Sequence, residues 1–317
     1  MKGIERFTTY LNQWEDLARE AKASENIAEF VLNKEGRTIF FMLEGLSKIY
    51  KNLHDGKMFS KMGDKFKAVE DLLGDMDHYR ECIDEFSKKE ETPARVMEYF
   101  KSMYNRAQRS LNDLFEEEGW MSGRRTEKTI KKLNEAEWMK EEKEMKAVRK
   151  YYLDEIQEFK SLYKQTGQMT LIEDHLHEFR RRLRWFSIYP HAVQGAIQFY
   201  QKDDRADALK KYHTEEIVSS PFNKFPAASD HKYALFLERN HFLALSWLID
   251  ALGKLKDKGL LEENLLHAMR ETKLPFEEPL IMQTEEKILS DANTIMQNFM
   301  KDEVLENLVG EVKPINN

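Results

Sequence analysis

Between Thr126 and Gln165 the chain runs without a glycine or proline, and Met145, Val148, Tyr152, Ile156, Phe159 and Tyr163 recur in it three and four residues apart. Residues so spaced share one face at 3.6 residues per turn, whereas in a strand they would scatter over both faces, so this stretch reads as one long amphipathic helix. The same spacing runs through most of the chain, which has only 13 glycines and 7 prolines in 317 residues. No segment shows the alternation of a half-buried strand, and the fold class is all-α. Helices are expected at about 5–22, 25–54, 58–88, 93–118, 126–165, 169–188, 191–212, 231–257, 259–270 and 279–309. Thr92 before Pro93 and Thr126 supply start signals.

Helices this long with short connections favour bundles. The stretch Gly119 to Arg125 is the expected seam between two helical halves, 1–122 and 123–317, packed into one elongated domain. Val218 to Asp230, with two of the prolines, is the expected loop of the second half.

Charged residues make up 34% of the chain and hydrophobic ones 41%, a balance that suits amphipathic helices with solvated outer faces. The net charge of −7 and pI near 5.8 give no global attraction to nucleic acid or membrane, so any polyanion site must be local. The single Cys82 excludes an intramolecular disulfide and a Cys-rich zinc site. Although Arg80 is near it in sequence, it is expected to be a buried small hydrophobe. The amino terminus is charged from Lys2 onward and no uncharged run is long enough to cross a bilayer, so a cytoplasmic location without membrane contact is expected. The phosphate-loop, dinucleotide, zincin and nucleophile-elbow motifs are absent, and neither an enzyme nor a bound cofactor or metal is expected.

Against that acidic background stands DHLHEFRRRLRWF, Asp174 to Phe186, with two histidines and four arginines. Projected at about 100° per residue with His177 at zero, Arg184, Arg180 and Arg181 fall within an arc of roughly 100° around it. Ile172, Leu176, Phe179, Leu183 and Phe186 fall on the abutting arc, while Arg182 and His175 lie outside the basic one. Like charges one turn apart repel unless something compensates. Two compensations are open: acidic side chains from a neighbouring helix, or a phosphate-rich anion held by guanidinium forks with a histidine as added donor.

The pattern H-x-x-R-x-x-x-R formed by His177, Arg180 and Arg184, followed by Trp185, resembles the signature helix of the conserved-histidine α-helical domain (CHAD) family. The downstream Ile249 to Asp257, IDALGKLKD, is similar to that family's second element, an apolar helix ending in L-G-x-L-x-D. Glu70 to His78, EDLLGDMDH, mirrors it in the first half. There His54, Lys57 and Lys61 repeat the +3 and +7 spacing, with Arg37 as the alternative counterpart of the His177 helix. The resemblance implies two helical-bundle repeats and a basic cavity between them that binds inorganic polyphosphate or a similar anion without catalysis. It also implies a site made of His177, Arg180, Arg181 and Arg184, supplemented by Arg37, His54, Lys57 and Lys61.

Other features carry competing readings. Asp75/His78, Asp174/His177 and Glu238/His241 have the acid-x-x-His spacing of ferritin-like di-metal bundle enzymes. His241, within an apolar run, reads as a core or boundary histidine, and the 15 methionines as core filler. Arg124, Arg125, Lys131 and Lys132 read as a solvated face or as a second anion patch. A helical scaffold for a protein partner would use the 126–165 helix, with Trp138 and Tyr151 as exposed anchors. Sequence-specific nucleic acid is not an expected partner.

Overall fold

Local chemistry sets some of the helix boundaries. The Asn26 side chain accepts from the Glu29 backbone N–H, and Asp55 accepts from those of Lys57 and Met58 at 3.0 Å, satisfying amides that a helix leaves open at its start. A computed structural model of the chain describes residues 3–202, 206–228, 231–275 and 278–315. It is predominantly helical, as the apolar spacing predicts. The chain divides into two compact units, one made of Lys2–Trp138 with Asn264–Phe276 and the other of Met139–Glu263 with Glu277–Asn317.

The first unit contains α1 (Gly3–Ala21), α2 (Ile27–Asn33), α3 (Gly36–Leu53), α4 (Gly56–Ser87), α5 (Ala94–Glu118) and α6 (Arg124–Glu135). Helix α4 packs against both α3 and α5, and α1 packs against α3 and α6. Their buried faces meet in an aromatic core. Trp14 stands edge-on to Phe40 at 4.9 Å, and Trp120 stands edge-on to the same ring at 5.2 Å. Such geometries add about 0.5–1.5 kcal/mol per pair beyond the area they bury.

The expected helix 126–165 is two helices, broken between Glu135 and Glu141. Trp138 causes the break. Its ring packs edge-on against Tyr50 and His54, each at 5.2 Å, and its indole N–H donates to the Leu133 carbonyl at 3.0 Å, closing the end of α6. Burying that ring requires Ala136 and Lys140 to leave helical geometry. Trp138 is therefore half-buried, not an exposed anchor.

The second unit begins with α7 (Glu141–Thr166), whose first turn carries Glu141, Glu142 and Glu144 where the helix dipole favours negative charge. A π-helical turn, Ile172–His177, then runs into α8 (Glu178–Ala192). Tyr152 donates to the Phe186 carbonyl, and Tyr151 bonds to the Tyr189 hydroxyl at 2.9 Å, fastening α7 to α8. Tyr151 is 7% exposed, so it too is unavailable as an anchor.

A small sheet corrects the absence of strands read from the sequence. Strands β1 (Ile197–Tyr200), β2 (Tyr233–Glu238) and β3 (Val309–Pro314) lie in the order β1-β2-β3, the first pair parallel and the second antiparallel. Helices α9 (Ala206–Leu209) and α10 (Glu215–Ser219) lie between β1 and β2. Short helices and β1 thus occupy the region expected as one helix at 191–212, with residues 203–205 outside those described; so are the last two of the expected loop ending at Asp230. Helices α11 (Arg239–Glu271) and α12 (Glu278–Lys301) follow.

Alternation is invisible in β2 because Ala234, Leu235 and Leu237 are all buried. Its end is hidden as well, because α11 begins at the next residue. Glu238 makes that junction: its carboxylate accepts from the His241 backbone N–H at 2.8 Å and from that of Lys202 at 3.1 Å. No helix among the described residues is long and apolar enough to cross a membrane.

Candidate anion-binding site

The turn that carries His177 is not regular α-helix. Residues 172–177 form a π-turn, with the Leu176 N–H reaching the Leu171 carbonyl five residues back, so a constant 100° step fails within it, while Arg180, Arg181 and Arg184 lie beyond it on α8. The side chains are also engaged. His177 Nδ1 lies 2.9 Å from Glu173 Oε1. Arg181 donates twice to one oxygen of Glu178, at 2.8 and 2.5 Å, and Arg182 donates to the other at 2.7 Å. One carboxylate, one turn back on the same helix, thus pairs with an arginine assigned to the arc and with one excluded from it. Burial alone would raise the pKa of Glu178, but hydrogen bonds from Arg182 and Arg181 hold it below the usual carboxylate range.

Arg180 turns inward. Its guanidinium lies across Gly253 of α11, so close that a Cβ there would stand 2.8 Å from Nε, and Nε donates to the Ile249 carbonyl at 3.3 Å. Arg184 is half-buried.

The same device recurs in the first unit. Arg37 of α3 lies across Gly74 of α4, where a Cβ would stand 2.5 Å from Nη2, and its Nε and Nη2 reach the buried Glu70 carboxylate at 2.8 and 2.7 Å. Glu70 and Ile249 each precede the glycine by four residues. The two L-G elements singled out in the sequence are therefore shelves for an arginine, and Arg37 is the local counterpart of Arg180.

His54 is different. It caps the end of α3, with its backbone N–H on the Tyr50 carbonyl and its ring stacked on that tyrosine at 5.5 Å. Lys57 is exposed in the first turn of α4, and Lys61 is one turn further on. Arg37, at the level of Gly74, is about 20 Å of helix rise from Lys61. The first-half set is thus dispersed.

Lys61 instead joins a cleft of about 630 Å³ between α4 and α6. Lys61 and Lys65 come from α4, and Arg125, Lys128, Lys131 and Lys132 from α6; Asp64 and Glu135 are the acids in the lining. Two positive-φ glycines, Gly119 at 76° and Gly123 at 82°, reverse the chain between α5 and α6 and return Arg125 beside Glu118. Glu118 bonds to Lys65 at 2.5 Å and also to Arg125, fixing both cations at the α5 end of the cleft. Lys61, Lys128, Lys131 and Lys132 make no ion pair among the described residues.

Of the four residues in the second sequence patch, Arg124 is absent from the cleft lining: its guanidinium donates to the Glu117 carbonyl at the end of α5. Lys65 and Lys128 line the cleft as well, outside the residues that the sequence singles out. Their spacing from Lys61 and from Lys131 and Lys132 was legible, but their convergence from separate helices was not.

The metal-type pairs have other uses. Glu238 caps α11, while His241 is buried with Nδ1 2.9 Å from the Val304 carbonyl, as expected of a core histidine. His78 Nε2 lies 3.9 Å from Cys82 Sγ. Among the described residues no group of three or more His, Cys, Asp or Glu side chains is arranged to hold a metal ion. Cys82 is buried, and burial pushes its thiol up to about 12, the opposite of a reactive thiolate. No known protein family, curated protein or solved structure matches the chain.

Proposed function

We propose that this protein binds a phosphate-rich anion, inorganic polyphosphate or one chemically like it, without converting it, and that the α4/α6 cleft is its seat. One observation carries the proposal: six cations converge on one cleft of a chain with net charge −7, and four of them lack a carboxylate partner among the described residues. Lys128 repels Lys131 and Lys132 across single helix turns at a cost of about 0.2–0.5 kcal/mol per pair, which an anion bridging them would reverse. Lysine suits such a ligand as a compact point charge that does not demand the geometry of a guanidinium fork.

In this proposal His177, Arg180 and Arg181 serve the architecture of the second unit. The recurrence of the arginine shelf favours a chain built from two related helical elements, and with it a divergent relationship to the CHAD family.

Calorimetric titration with polyphosphate in low-salt buffer tests the assignment. Lys128→Glu combined with Lys131→Glu should weaken binding by at least about tenfold, the equivalent of roughly 1.4 kcal/mol. Arg181→Glu, which removes a cation outside the cleft that pairs with Glu178, should leave it within about twofold. No binding by the native chain, or equal losses in the two variants, overturns the proposal.

A further inference from the structure

The cations of the cleft extend over a short distance. From Arg125 to Lys132 is seven residues, about 10 Å of helix rise, and from Lys61 to Lys65 about 6 Å. A volume near 630 Å³ falls within the roughly 300–1,000 Å³ of small-molecule pockets. Acids bound the basic run. Asp64 and Glu135 line the cleft itself, and Glu116 and Glu117 are exposed at the end of α5. The cleft offers no surface for a base to stack on, because Phe66, the aromatic residue of the lining, is 1% exposed.

We infer that the cleft takes a compact, multiply phosphorylated small anion, matched to its four lysines without a carboxylate partner among the described residues, in preference to an extended polymer or a single-stranded nucleic acid. This rests on the anion-binding function proposed for the cleft. The recognised chemistry is several phosphoryl groups held close together, whether in a short linear chain or around a small ring. Lys65 and Arg125, braced by Glu118, form the fixed wall, and Lys61, Lys128, Lys131 and Lys132 close on the ligand.

Titration of the full chain with five probes tests the size limit: pyrophosphate, tripolyphosphate, inositol hexakisphosphate, long-chain polyphosphate and a single-stranded oligonucleotide. Tripolyphosphate or inositol hexakisphosphate should bind one to one, at least about tenfold more tightly than pyrophosphate or the oligonucleotide. Which of the two binds more tightly separates the linear from the ring source. Long-chain polyphosphate, corrected for its overlapping sites, should gain no more than about threefold over the better of them. Its log affinity should fall with log salt at a slope of about −3, four contacts at roughly 0.7–0.9 each.

The size inference is overturned by a per-site gain of about tenfold or more on the long polymer, a slope near −6, or an oligonucleotide equal to the small anions. If those outcomes remain sensitive to Lys128→Glu with Lys131→Glu, anion binding at the cleft survives. Failure of every probe to bind removes both.

Discussion

Glu263 shows how far one side chain's chemistry depends on what folding brings near it. Burial, then the negative charges of Glu285, Glu173 and Asp174, push its carboxyl up to about 7. An acid with a raised folded pKa contributes stability that is fully present below its unfolded value of about 4.3 and is lost as pH rises through the folded value. The second unit should therefore lose stability between about pH 4.3 and pH 7 through this group. Glu263→Gln, which fixes the neutral form, should raise the melting temperature at pH 8 and leave it unchanged at pH 4; a variant indistinguishable from the native chain at both values would show that the carboxyl is not strained. None of this was legible in the sequence, because Glu173, Glu263 and Glu285 are distant along the chain and their repulsion exists only in the folded state.

Helix elements were legible largely where an apolar stripe marked them, but the start signals were not: Pro93, not Thr92, caps α5 and Thr126 lies inside α6. Trp138 lies in a stretch with good helical spacing, yet an aromatic pocket formed by Tyr50, His54 and Phe59 outcompetes the helix there. Strand β2 was read as helix because it is buried on both faces and joins α11 without a glycine or proline between them. The arginine shelves make a comparison at this scale. Alanine in place of a mid-helix glycine gains about 1 kcal/mol of propensity. At Gly74 the added Cβ displaces Arg37 and leaves the buried Glu70 carboxylate without its partner, a loss of about 1–3 kcal/mol. Gly74→Ala should thus lower the unfolding midpoint in urea denaturation; an unchanged or raised midpoint would refute this account of the shelf.

For the molecule as a whole, a net charge of −7 is the background to a local basic cleft. A uniformly acidic chain flows through a phosphocellulose column. This protein should be retained on one in low-salt buffer and released by moderate salt, since a screening length of about 10 Å at 0.1 M is comparable to the cleft itself. Retention should vanish in the Lys128→Glu, Lys131→Glu variant, and flow-through of the native chain at low salt would count against a cleft that acts independently of net charge.

The sequence alone determined the helical class, the core character of His241 and Cys82, and the two L-G elements, because each depends on neighbours within one or two turns. It also showed that any polyanion site must be local. Only the tertiary structure decided which cations are paired and which converge on one cleft. Charge pairing depends on which side chains face each other, and folding gave Glu178 to Arg181 and Arg182, carried Arg37 and Arg180 onto glycine shelves, and brought Lys61 of α4 together with Lys128, Lys131 and Lys132 of α6.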